Sequence, residues 1–138
     1  MTFQELDACI AGSGRRSIAS ALIAFILDAL DDGQDGVDLD TFQSHTHFVR
    51  NNVTTVASYL QLHGIIHILY YRDGAAEHQY ESVNNYGRWA KQHYRPSEPL
   101  IQLHRRGSTK RFPLRNLSNL RNKQSAGFKE NLQAVSER

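Results

Sequence analysis

Along the first hundred positions apolar residues recur at spacings of three and four, the period of helices with a buried face. Thr2 followed by Glu5 makes a capping box, in which each side chain satisfies the other residue's free backbone N–H. Phe3, Leu6 and Ile10 then fall on one face, and Gly12-Ser13-Gly14 stops this first short helix. A longer helix spans about Arg15 to Leu30. Its polar Ser17, Ser20 and Asp28 form a narrow stripe, while Ile18, Leu22, Ile23, Phe25, Ile26 and Leu30 cover the rest. A helix so apolar is buried on more than one side, in the core or at a homodimer contact.

Asp31-Asp32-Gly33-Gln34-Asp35-Gly36 is an acidic turn, and Val37-Asp38-Leu39 can form a very short strand. Asp40 with Gln43 reads as a second capping box, opening a short helix through about His47. After a brief turn Asn51 caps a helix from Asn52 to about His63, with Val53, Val56, Ala57 and Leu60 facing the core. Gly64 sits where helices commonly end in a left-handed residue. Ile65 to Tyr71 alternates as a strand, Asp73-Gly74 marks a turn, and His78 to Val83 supplies the returning strand of a hairpin. Asn84 to Tyr94 reads as a closing helix, after which Pro96 and Pro99 end ordered structure. The expected fold class is mainly α with a small β-hairpin. Residues 1–95 form the domain and 96–138 a C-terminal arm, with Leu100, Ile101, Leu103, Phe112, Leu114, Leu117 and Leu120 as its apolar anchors.

The order helix, short strand, short helix, turn, longer helix, hairpin resembles winged helix-turn-helix domains over about residues 15–83. The resemblance is carried by Asn51, Val53, Val56, Leu60, Gly64, Ile65 and Ile66, which occupy a capping place, the apolar places of the second helix, and the Gly-aliphatic-aliphatic entry to a strand. It implies that the helix from Asn52 lies in the DNA major groove, where base edges carry a donor–acceptor code readable by short polar side chains. The outward positions are then Asn51, Asn52, Thr54, Thr55 and Ser58, with Arg50 at a phosphate and Arg72 in the wing. Asn pairs bidentately with adenine, and Thr offers a hydroxyl or a methyl.

Charge complicates this picture. Met1 to Glu81 carries four Lys/Arg against eleven Asp/Glu, a net of −7, whereas Ser82 to Arg138 carries twelve against three, a net of +9. Phosphate neutralisation supplies most affinity for DNA, so a −7 body needs cations from elsewhere. The densest cluster is Arg105, Arg106, Lys110 and Arg111, spaced by Gly107, Ser108 and Thr109, a composition suited to following a phosphate backbone. The expected partner is therefore double-stranded DNA, with transcription regulation as the role and a homodimer through Arg15–Leu30. The alternative is a winged-helix protein-interaction module whose basic arm docks on an acidic partner.

Other chemistry finds no support in the residues. One cysteine, Cys9, excludes a disulfide framework and cysteine-based zinc sites. His45 with His47, and His63 with His67, lack the continuous helix or third ligand a metal needs. In the acidic turn, Gly33 and Phe42 fall where a calcium loop requires ligands. No phosphate-binding glycine loop or nucleophile–base pairing is evident, so no enzyme, cofactor or metal is expected. Asp28 interrupts the longest apolar run, which excludes a membrane span and leaves a cytoplasmic protein as the expectation.

Overall fold

The computed structural model describes residues 1–74 and 79–110. Helix α1, Phe3–Gly12, opens on the capping box read from the sequence: the Glu5 N–H donates to Thr2 Oγ1 at 3.1 Å and the Thr2 N–H to Glu5 Oε1 at 2.7 Å. Helix α2, Arg16–Asp31, runs through the middle of the molecule, with Leu22, Ile23 and Ile26 fully buried. Leu6 and Ile10 of α1 join it in one core, as do buried residues of the later helices and strands. Most of the apolar girdle of α2 is taken up by the chain's own core, with Ala21, Phe25 and Leu30 half-buried at its edge.

Strand β1, Val37–Asp38, leads into α3, Leu39–Thr46, and α4, Arg50–Leu62. Neither helix is capped as its sequence implied. Asp38, not Asp40, is the cap residue of α3, and Val49, not Asn51, that of α4; neither makes a side-chain capping bond. The carboxylate of Asp40 is drawn instead to Arg50 and Lys91. Val53, Val56, Ala57 and Leu60 bury as the periodicity requires. Gly64, at φ +75°, turns the chain out of α4 into strand β2, Ile66–Tyr71.

The partner of β2 differs from the expected one. Strand β3, Lys91–Pro96, pairs antiparallel with β2 on one side and β1 on the other, giving the order β1-β3-β2. Tyr94 lies opposite both Ile68 and Val37 and is fully buried, which fixes the pairing by one large inward side chain. Of the expected returning strand His78–Val83, His78 lies outside the described residues; in the rest only Glu81 pairs, as a single bridge to Tyr70. The closing helix expected over 84–94 is replaced by a 3-10 turn at Gly87–Trp89 followed by β3. Gly87 adopts φ +60°, which breaks a helix there, and Trp89 is 61% exposed instead of packed.

The domain boundary also moves. Beyond Pro96 the chain forms helix α5, Glu98–Lys110. Ser97 accepts a hydrogen bond from the Leu100 N–H at 3.3 Å, and Pro99 sits in the first turn, where its missing N–H is no loss. Leu100 and Leu103 are fully buried in the common core, so residues assigned to an arm belong to the folded body. Phe112, Leu114, Leu117 and Leu120 lie outside the described residues.

Candidate nucleic-acid interface

Helices α3 and α4 are joined by the three residues His47-Phe48-Val49. His47 takes the left-handed conformation, φ +62°, at a position where glycine is usual. Its neighbour Phe48 packs against Phe42 at 6.0 Å between ring centroids, and Phe42 meets Phe25 of α2 edge-on at 5.1 Å. These rings pin the turn and thereby the angle at which α4 leaves it. At its other end α4 is tied to α1 by the Tyr59 hydroxyl, which donates to the Cys9 carbonyl at 3.0 Å. Gly12 makes room for this ring, since a Cβ there would stand 2.7 Å from the Tyr59 oxygen. Burial pushes the neighbouring Cys9 thiol up from its ordinary pKa.

With Val53, Val56, Ala57 and Leu60 facing inward, α4 turns Asn51, Thr55, Ser58 and Leu62 outward along one line of the helix. No residue of α4 beyond Arg50 carries a charge. Asn51, freed from the capping role, is exposed; among the described residues its amide has no partner, nor has the amide of half-buried Asn52 or the hydroxyl of Ser58. The hydroxyls of Thr54 and Thr55 both donate to the Asn51 carbonyl, at 3.0 and 2.8 Å.

The cations expected around this strip are distributed differently. Arg50 stands at the start of α4 but pairs with Asp40 at 3.2 Å. Lys91 reaches the same carboxylate at 2.7 Å and Asp73 at 3.2 Å. These contacts, Lys91 foremost, hold the Asp40 carboxyl below the usual range. Arg72 is exposed at the start of the connection between β2 and β3. Arg105 and Arg106 ride on α5, where Arg106 donates to the Met1 carbonyl at 2.8 Å. They sit on a helix whose His104 reaches Asp31 at the end of α2 and whose Arg106 reaches Met1 ahead of α1, not on an unstructured arm. Lys110 closes α5, and Arg111 lies outside the described residues.

The acids that made the body's charge so negative meet bases supplied from further along the chain. Asp31 pairs with His104 at 2.9 Å, Asp35 with Arg95 at 3.7 Å, Asp38 with His93 at 2.7 Å, and Asp40 with Lys91. The acids ascend while the bases descend, the order of two segments packed antiparallel. Asp28, Asp32, Asp35 and Asp38 also line a cleft of about 690 Å³ walled by His93, Arg95 and Tyr80, to which no residue of α4 contributes. Of the paired aspartates, Asp40 meets α4 at its first residue, Arg50. Sequence reasoning missed these pairs, although the reversed order of acids at 31–40 and bases at 91–104 is a signal that could have found them.

Comparison with family models, curated proteins and solved structures finds no match to this chain. Among the described residues no helix is long and apolar enough to cross a membrane.

Proposed function

We propose that this chain is a sequence-selective double-stranded DNA-binding protein of winged-helix type, acting as a transcriptional regulator, with α4 as the helix that enters the major groove. The observation that carries the reading is the uncharged, exposed strip Asn51–Thr55–Ser58, in which the Asn51 amide and the Ser58 hydroxyl have no partner among the described residues, on a helix whose preceding turn is packed by aromatic rings. Side-chain amides and short polar groups are the chemistry that reads base edges. The three-stranded antiparallel sheet following α4, with exposed Arg72 just after β2, supports the reading. Lys91 and Arg95 place permanent positive charge beside Asp40, Asp73 and Asp35, which offsets part of the −7 carried by residues 1–81.

Arg50 and Arg72 are the phosphate contacts nearest the strip in sequence; Arg105, Arg106, Lys110 and Arg111 extend the footprint. Fluorescence anisotropy of the full chain on duplex DNA across a salt series tests this. Each phosphate contact adds about 0.9 to the slope of log affinity against log salt. Arg105/Arg106→Ala accordingly lowers the slope by about 2. A chain that ignores duplex DNA even at low salt ends the proposal.

A second reading, the protein-interaction module, is favoured by two exposed apolar residues flanking the strip, Val49 at 61% and Leu62 at 82%. Apolar rims suit a protein partner better than a phosphate rail. A stoichiometric, nuclease-resistant protein partner lost on Leu62→Ser selects it.

A further inference from the structure

Resting on the DNA-binding reading, the geometry points to what the strip reads: we infer that α4 selects A·T pairs and senses the thymine methyl group through Thr55. The argument is one of subtraction. The strongest reader of guanine is a bidentate Arg or Lys, and neither occurs on α4 after Arg50, whose guanidinium is turned to Asp40. Cytosine is read by a carboxylate accepting from its amino group, and α4 has none.

What remains is neutral: the exposed Ser58 hydroxyl can serve either base pair, so the selectivity falls to Asn51 and the two threonines. The Asn51 amide can donate to adenine N7 and accept from its N6 amino group at once. Thr55 is exposed, yet its hydroxyl donates to the Asn51 carbonyl at 2.8 Å, a bond it would have to give up to donate to guanine O6 or N7. The same holds for half-buried Thr54, bonded to that carbonyl at 3.0 Å. Each tied threonine keeps its methyl group for contact, and in the major groove the complementary apolar group is the C5-methyl of thymine. Asn51 and Thr55 stand one turn apart, so an adenine contact and a thymine-methyl contact fall within about two base pairs of each other.

The test uses the full chain. Duplexes selected from a random pool are expected to hold an A·T core. Replacing a core thymine by uracil, which removes only the methyl, is expected to weaken binding about fourfold, the equivalent of one buried methyl group. Thr55→Ser keeps the hydroxyl and loses the methyl, and is expected to bind the thymine and uracil duplexes alike. Asn51→Ala is expected to reduce the preference for adenine at its neighbour by about tenfold or more. A selected G·C core, or wild-type binding indifferent to uracil, overturns this inference while leaving duplex binding intact. Absence of any duplex binding at low salt overturns the proposed function itself, and this inference with it.

Discussion

Two polar surfaces of the molecule differ in how their groups are satisfied. Around the cleft between the end of α2, β1 and β3, acidic side chains meet partners from later in the chain: aspartates from residues 31–40 face the His93 and His104 rings and the Arg95 and Lys91 cations. On the outward face of α4 the groups are neutral, and Asn51, Asn52 and Ser58 have no partner among the described residues. The first surface is internal cement that joins early and late segments of the chain. The second has polar groups with no partner among the described residues. Net charge by halves conceals this division, because charge acts where it is placed and not where it is counted.

The comparison is broken most severely by removing the segment that carries the bases. Leu103→Ala empties a fully buried site where α5 meets the core, and is expected to destabilise the fold by about 2–5 kcal/mol in chemical denaturation. If α5 were an appended arm the loss would be negligible. Gly36→Ala attacks the cement more locally: a Cβ there would lie 2.1 Å from the Tyr94 carbonyl oxygen and 3.0 Å from His93 Nε2. Separating β1 from β3 to admit it is expected to cost about 1–3 kcal/mol, read in the same denaturation experiment.

Smaller effects sharpen the contrast. The Asp40 carboxyl titrates below its ordinary value because of Lys91 and, to a lesser degree, Arg50. A depressed carboxylate contributes stability above its unfolded pKa, and that contribution disappears as pH falls through the folded value. Lys91→Met is therefore expected to raise the Asp40 titration midpoint in carboxyl NMR and to flatten the acid limb of the stability profile. The neutral-pH loss should stay below about 1 kcal/mol for so exposed a pair. Smallest of all, Asn51→Ala and Ser58→Ala are expected to change stability by less than about 0.5 kcal/mol. A larger loss would mean that the strip belongs to the fold and not to a partner.

Much of the first seventy residues was legible from spacing. The Thr2–Glu5 box, α2, the short strand at Val37 and the buried face of α4 are local consequences of which residues lie three or four apart. The strip of α4 was legible for the same reason, because fixing the inward positions fixes the outward ones. The caps of α3 and α4 were not. Asp40 and Asn51 have the right residue type, but Asp40 is claimed by two cations and each helix begins earlier than its apparent signal.

The later third misled for a different reason. Lys91–Pro96 reads Lys-Gln-His-Tyr-Arg-Pro, which lacks the apolar alternation of a strand, because its polar members answer aspartates some fifty residues earlier. His78–Val83 alternates better but finds only one bridge, since β3 takes the long edge of β2. Pro99 reads as a terminator, although one position after a serine cap it begins a helix.

Helix period, turn glycines and the uncharged outward face of α4 follow from neighbours within one or two turns, so the amino-acid order by itself determined them. The strand beside β2, the membership of α5 in the core and the pairing of the aspartates depend on groups twenty or more residues apart. Only the tertiary structure decided those, because no local energy term distinguishes a cation bound for solvent from one that closes on a distant carboxylate.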